Sequence, residues 1–314
     1  MTQQLAAGID IGGTNTVFGL VNRKGEIIAY GSVKTAEYPE ASELVKAVSE
    51  KIQEALPPGS ALAGVGIGAP NGNYYKGTIE FAPNLKWYGI IPIAGYFSEA
   101  LHCKAILTND ANAAALGEMI FGGAKGMKDF LIITLGTGLG SGIVVNGSVV
   151  YGHDGFAGEV GHVIAIPEGR LCGCGRKGCV ETYCSATGIK RTYYEKKNIQ
   201  SETMAYISSR QIFEQALAGD KASIETFEYT GKILGLVLAN SVAYTSPEAI
   251  FLFGGPTQAG ELLFKPTRES FEENLLNIYK GKIKILPSLL NENDVAILGA
   301  ASLVWKDVNE MVSL

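Results

Sequence analysis

Apolar and polar positions along this chain change period from segment to segment. Residues 5–11, LAAGIDI, form a short apolar run that stops at GGTNT. A second run, VFGLV, follows, then the turn NRKG and a third run, EIIAYGSV. The pattern predicts strand, glycine turn, strand, turn, strand. The plan returns at residues 130–151, where FLIITL meets GTGLGSG, then IVV, an Asn-Gly turn at 146–147 and SVVY. Asn-Gly between apolar runs is a strong hairpin signal, because both residues tolerate the left-handed backbone of a two-residue turn. The two units lie about 125 residues apart. Repetition on that scale predicts duplicated domains rather than a short-period solenoid.

Between the units the period lengthens. In ASELVKAVSEKIQEAL, residues Leu44, Val45, Val48, Ile52 and Leu56 share one helical face. ALAGVGIGAP reads as a buried strand closing in a Gly-Ala-Pro turn. CKAILTND reads as a strand, and ANAAALGEMIFGG as a helix ended by glycines. In the second half, ASIETFEYTGKILGLVLANSVAYT is a long helical stretch and AIFLFGG a buried strand. VAILGAASLVWKDV is a helix rich in small residues, suited to close packing on a sheet. Strands alternating with helices predict α/β layers. No low-complexity linker interrupts them, so a domain boundary is expected to be a hinge rather than a tether.

Composition narrows the function. A length of 314 residues suits two domains, and 46% hydrophobic with 18% charged residues is ordinary for a globular protein. Forty glycines suggest tight turns and close backbone approach to ligands. The net charge of −5, without a basic run, argues against nucleic acid as the main partner. The N-terminus lacks the pattern of a signal peptide, and no apolar run approaches the ~20 residues that span a bilayer. A cytoplasmic protein with no membrane partner is expected. Its cysteines, at 103, 172, 174, 179 and 184, are odd in number and clustered. In a reducing compartment that favours metal binding over disulfides.

Two glycine loops could cradle phosphate. In DIGGTNT, Gly12 and Gly13 would let the backbone approach an anion, and Thr14, Asn15 and Thr16 add donors. Asp10, at the strand end, could hold Mg²⁺ through water. LGTGLGSG, with Gly136, Thr137 and Gly138, is a second such loop. Each alone reads better as a hairpin turn, whereas two such loops, one from each half, could close on a polyphosphate from both sides. No G-x-x-x-x-G-K-[ST] occurs, and the G-x-G-x-x-G at 173–178 follows no apolar strand, so neither nucleotide fingerprint applies. Asn109 and Asp110 fall at a strand-to-helix junction. Asp110 is either a helix cap or a carboxylate base for phosphoryl transfer, and local sequence favours the cap. His162, Cys172, Cys174 and Cys179 give H-x9-C-x-C-x4-C, a ligand set of closed structural zinc. Its spacing differs from finger-type pairs, and the C-x-x-C of a redox centre is absent. Cys103 and Cys184 read as buried thiols.

Taken together, these segments resemble the ROK family of sugar kinases and sugar-responsive repressors. The first phosphate loop is matched by DIGGTNT, the second by LGTGLGSG and the E-x-G-H motif by GEVGH. The zinc signature is matched by CGCGRKGCVE, the catalytic-aspartate segment by TNDANAAALGE and the adenosine-side glycines, Gly254 and Gly255, by FGGP. The resemblance implies an α/β, duplicated actin-like, ribonuclease-H-like ATPase fold with the active site in a cleft between two domains. The expected division is 1–115 plus 295–314, and 116–294, the latter with the zinc loop and a homodimer surface. It implies Asp110 as base, and Asn84, Asn109, Glu159, His162 and Glu181 as holders of the sugar hydroxyls, with ATP and Mg²⁺ as co-reactants. The implied reaction is ATP-dependent phosphorylation of a hexose, foremost glucose, at the 6-hydroxyl. N-acetylmannosamine, N-acetylglucosamine, fructose and allose are rival substrates. A non-catalytic sugar-binding regulator is the alternative of another class. Family repressors carry a DNA-binding domain before the first loop, and here Asp10 is reached after nine residues.

Overall fold

The computed structural model describes residues 2–199, 207–291 and 294–312. In chain order the first elements are β1 (Gln3–Ile11), β2 (Thr16–Val21), β3 (Ile27–Val33), α1 (Ala41–Ala55), β4 (Ser60–Gly68), β5 (Gly72–Asn73) and β6 (Thr78–Glu80). Then come β7 (Ile90–Ile91), α2 (Ile93–Leu101), β8 (Ala105–Thr108), α3 (Asp110–Ile120), β9 (Phe130–Leu135), β10 (Leu139–Val145) and β11 (Ser148–Val149). The remainder are α4 (Glu181–Cys184), α5 (Ala186–Lys196), α6 (Ser209–Leu217), α7 (Lys221–Thr245), β12 (Ala249–Phe253), α8 (Glu261–Asn274), β13 (Lys284–Pro287) and α9 (Val295–Val312).

Two five-stranded sheets share one plan. Their orders are β3-β2-β1-β4-β8 and β11-β10-β9-β12-β13. In each, a glycine loop joins an antiparallel pair, β1–β2 or β9–β10. Parallel strands then extend the sheet from β1 or β9. The duplication read from the twin hairpins is therefore present strand for strand. The Asn-Gly turn leading into β11 has both residues in the left-handed region, φ 51° at Asn146 and 72° at Gly147, as a two-residue hairpin requires.

The first unit comprises Met1–Met127, Val149–Ala157 and Leu289–Leu314. On its sheet, α1 buries Leu44, Val45, Val48 and Ile52, as the periodicity predicts. The C-terminal helix α9 lies on β1 and β4 so closely that a Cβ on Gly66 would collide with the Ala300 carbonyl, and one on Gly8 with that of Ile297. This is the close packing expected of its small residues.

The second unit comprises Lys128–Ser148 and Gly158–Ser288 and has its own core, including Leu131, Phe227, Leu234, Ile250 and Phe271. The first passage between units falls after Met127, not near residue 115, and the last after Ser288, not near 295. Helix α3 is the reason. A Cβ on Gly299 of α9 would lie 2.6 Å from the Ala113 carbonyl oxygen, so α3 and α9 are packed backbone to backbone. At its end the buried Glu118 accepts the amides of Gly123 (2.7 Å) and Leu289 (3.3 Å), tying both passages to the first unit. Residues 149–157 also join that unit. Tyr151 stacks on Tyr74 with centroids 4.0 Å apart, and the side chains of Asn73 and Tyr75 donate to the carbonyls of Asp154 (2.8 Å) and Gly152 (2.9 Å). Among the described residues no helix is long and apolar enough to cross a membrane.

Candidate active site and metal centre

In the first unit the sheet brings Asp10, the loop 12–15, Asn84 and Asp110 together. Strand register sets Asp10 beside Gly68 at the end of β4. A Cβ on Gly68 would lie 3.5 Å from Asp10 Oδ1 and 3.7 Å from Asp110 Cα, so the two acids flank one strand end. The loop closes with the Gly12 amide on the Asn15 carbonyl at 3.0 Å. A Cβ on Gly13 would collide with the Asn84 carbonyl, so this glycine also admits the segment that carries Asn84. Thr14, Asn15 and Asn84 are exposed. Thr16 differs from them: it opens β2, is fully buried, and its hydroxyl lies 2.8 Å from that of Thr35. It braces the loop from below and presents no donor to an open face.

Two neighbouring side chains meet the first free amide of α3 at the strand-to-helix junction. Asn109 is the cap of α3, its side-chain oxygen accepting the Ala111 amide at 2.8 Å. Asp110 is the first helical residue, and its Oδ1 accepts the same amide at 2.8 Å. Burial raises the Asp110 pKa, opposed by backbone N–H bonds. Yet the residue keeps an exposed face to solvent, so the rise is smaller than for a sealed carboxyl. Burial first, and then the charge of Asp110, push Asp10 up to about 7. Two acids sharing one strand end favour a bound cation between or beside them.

In the second unit, β9 and β12 run parallel and end together, Phe253 beside Thr134. Their following loops are therefore neighbours. Gly254, at φ 109°, passes so close to Leu135 that a Cβ would strike its carbonyl. Gly136 and Gly255, in contrast, would meet nothing within 4 Å if they carried a Cβ, which leaves their exposed faces open. Thr137 is exposed, and the Gly136 amide donates to Gly138 at 3.0 Å. Glu181, first residue of α4, reaches this loop: its Oε2 accepts the Leu139 amide at 3.0 Å, and a Cβ on Gly138 would collide with that oxygen.

The metal-ligand set assembles as its sequence predicts. The ligand atoms of His162, Cys172, Cys174 and Cys179 all lie within 4.8 Å of one another. Cys172 Sγ is 3.7 Å from His162 Nδ1, and Cys174 Sγ is 3.7 Å from Cys179 Sγ. A tetrahedron with metal–sulfur bonds of about 2.3 Å has edges of about 3.8 Å, so the cluster could hold a metal ion of zinc's size. All five cysteines are free thiols; Cys184 is buried and Cys103 half-buried. The knuckle is a small hairpin, with a bridge between Leu171 and Lys177 and the Cys172 amide on the Arg176 carbonyl at 2.9 Å. Gly175 and Gly178 occupy the left-handed region at φ 85° and 80°. A Cβ on Gly178 would also collide with the Ile166 carbonyl, whereas Gly173 meets no such constraint. Burial raises the Cys172 thiol to about 12 in the metal-free chain. A metal would therefore have to displace a proton there. Glu159 and His162 are joined by one tight turn, the His162 amide on the Glu159 carbonyl at 3.1 Å. Ser141 supports that turn through the Gly158 carbonyl and the Val160 amide.

Sequence reading missed Arg170. It is buried behind the knuckle and donates to Glu195 (2.5 Å), the Thr182 carbonyl (2.6 Å) and the Thr192 hydroxyl (2.9 Å), while stacking 4.4 Å from the Tyr183 ring. The Arg170 amide also donates to the Tyr183 hydroxyl at 2.9 Å. No local pattern marks it, because its partners lie 12 to 25 residues downstream.

Comparison with known proteins gives the site its context. The model of the ROK family matches residues 6–307. A glucokinase of Halalkalibacterium halodurans is 33% identical, covering 99% of this chain and 98% of that protein. A xylose repressor of Caldicellulosiruptor bescii is 30% identical over 96% of this chain and 78% of its own length. Among solved structures, a ROK family glucokinase from Streptomyces griseus in complex with glucose and AMPPNP superposes with a TM-score of 0.79. It is 33% identical, and the match covers 95% of this chain and 98% of the other. The shared fold is the duplicated actin-like, ribonuclease-H-like ATPase fold that the twin sheets display.

Proposed function

Because the chain belongs to the ROK family, we propose that it phosphorylates a hexose at the 6-hydroxyl with ATP, glucose being the preferred sugar. The observation that carries this reading is Asp110. Asn109 accepts the same Ala111 amide, so the cap does not depend on Asp110 alone, and Asp110 keeps an exposed face to solvent. A carboxylate so placed can accept a proton. The sugar oxygen attacks the γ-phosphorus as the bond to the departing ADP oxygen breaks, and the hydroxyl proton passes to Asp110. Its raised pKa suits that task, since a base nearer neutrality takes the proton more completely.

Asn84, Asn109, Glu159, His162 and Glu181 would hold the sugar hydroxyls; amides and carboxylates there discriminate epimers, because the wrong epimer leaves a buried group unpaired. The backbone of loops 12–15 and 136–138 would cradle the phosphates, with Gly254 and Gly255 on the nucleoside side. Asp10 fits Mg²⁺ held through water, since a cation relieves the charge repulsion between it and Asp110. When bound, Mg²⁺ neutralises charge on the phosphates. The Cys₃His set fits zinc with a closed shell, which staples the 159–181 segment and activates no water. The protein would work in the cytoplasm as a homodimer.

A kcat/KM panel with ATP across glucose, fructose, allose, N-acetylglucosamine and N-acetylmannosamine tests this. Glucose should lead. A strong preference for an N-acetyl sugar would overturn the substrate. No ADP with any hexose would overturn the kinase and favour a sugar-binding regulator, the reading that similarity to a xylose repressor keeps open.

A further inference from the structure

Glu181 stands between two features that the proposed function treats separately. One carboxylate oxygen accepts the Leu139 amide at 3.0 Å, and the same oxygen fills the space a Cβ on Gly138 would need. The other faces the Cys172 thiol, which donates to it at 3.6 Å. The backbone repeats the link. Glu181 follows the ligand Cys179 by two residues, the Thr182 amide donates to the Cys179 carbonyl at 3.0 Å, and the Ala186 amide donates to the Gly136 carbonyl at 2.8 Å. Arg170 holds α4 from behind through the Thr182 carbonyl and the Tyr183 ring. The knuckle, α4 and the second glycine loop therefore form one hydrogen-bonded block within a single unit.

We infer that Glu181 is a positioning residue that transmits metal occupancy to the second glycine loop, so that loss of the metal weakens nucleotide binding even in the absence of sugar. A cation among the four ligands fixes Cys179, whose carbonyl holds the start of α4 through the Thr182 amide, and α4 in turn fixes the carboxylate at the base of the loop. Cys172, on becoming a ligand, gives up the proton it shares with Glu181 and leaves that carboxylate to the Leu139 amide. Without the cation, the Leu139 amide loses a charged acceptor held in place, and the loop samples shapes that do not fit a phosphate. A bond to a charged acceptor corresponds to at least about a tenfold change in affinity. Coupling is reciprocal, so bound nucleotide raises metal affinity by the same factor. The inference rests on the kinase reading only in taking residues 136–138 as a nucleotide loop.

The test compares metal-loaded protein, chelator-stripped protein, Cys174→Ser, Glu181→Ala and Glu181→Gln. Three readouts are taken without sugar: metal content, amide hydrogen exchange of residues 136–142, and AMPPNP affinity by calorimetry. Stripped protein and Cys174→Ser should exchange faster at 136–142 and bind AMPPNP about tenfold more weakly. Glu181→Ala should do the same while retaining its metal, and Glu181→Gln, which keeps an acceptor oxygen, should fall between. At equilibrium with a competing chelator, AMPPNP should raise the share of metal kept by wild type and not by Glu181→Ala. Unchanged exchange at 136–142 after stripping overturns the inference, as does a Glu181→Ala loop that loosens only when its metal is also lost. A metal-loaded wild type that binds no AMPPNP refutes the kinase reading, and the exchange rates then decide the role of Glu181 by the same two outcomes.

Discussion

Replacing Arg170 by Met removes a buried charge while keeping the length of its apolar stem. Its side chain is 6% exposed, whereas that of its partner Glu195 is 53% exposed. Freed Glu195 can rehydrate in place, so that ion pair contributes at most about 1 kcal/mol. Thr192 keeps its bond to the Gly188 carbonyl at 3.0 Å. Among the described residues no other side chain or loop amide donates to the Thr182 carbonyl, and losing its Arg170 bond costs about 1–3 kcal/mol. Losing the stack on Tyr183 adds up to about 1 kcal/mol. The sum is about 1–5 kcal/mol with a midpoint of about 3, the lower edge of what breaking one side of a buried pair usually costs. For a unit of about 150 residues the midpoint lowers Tm by about 6–12 °C. Differential scanning calorimetry measures the shift, and hydrogen exchange shows whether the second unit opens first. A fall of less than about 2 °C would mean that Arg170 contributes no more than a surface charge, and the bracing role would be wrong.

Gly66→Ala should destabilise the first unit by about 3 kcal/mol, read from denaturant midpoints, because the new Cβ meets the Ala300 backbone rather than a flexible side chain; a neutral effect would contradict the close seat of α9. Gly136→Ala should leave Tm unchanged, since nothing lies within 4 Å, yet raise the KM for ATP about tenfold if the loop receives phosphate; an unchanged KM would remove this loop from the nucleotide site. In metal-free, ligand-free protein, the folded pKa of Asp10 is raised to about 7, above its unfolded value. The folded state then binds more protons between about pH 4 and 7, so stability falls as pH rises through that window. Asp10→Asn should flatten the slope of Tm against pH, and an unaltered slope would assign it to other groups.

What the sequence could disclose depended on range. The twin hairpins were legible because a period of two, a glycine loop and Asn-Gly are all local signals, and the same held for the metal ligands, set within one short segment. Helix α8 carries Pro266 in its interior, which reads as a breaker, although Gly231 and Gly235 of α7 seat it closely. Helix α5 buries Thr192, Tyr193 and Tyr194, residues whose polar atoms disguise an inward face. Buried Arg170 and Glu118 look like surface charges until distant partners fold onto them; Leu289 is 171 residues from Glu118. That contact also explains why the passages between units lie at Met127 and Ser288, where no composition change marks them. Thr16 belongs to a donor-rich loop by sequence, and only its place in β2 turns it inward.

Whether this chain transfers phosphate rests on Asp110, and one comparison reads its role: glucose binding and ATP-dependent formation of glucose 6-phosphate by wild type and by Asp110→Asn. The amide keeps the shape and the helix start but cannot take up the proton. Glucose affinity should stay within about threefold while kcat falls by about a thousandfold, since only the transition state needs the base. A variant whose kcat stays within about tenfold of wild type would show that Asp110 merely begins a helix, and the proposed mechanism would fail with it.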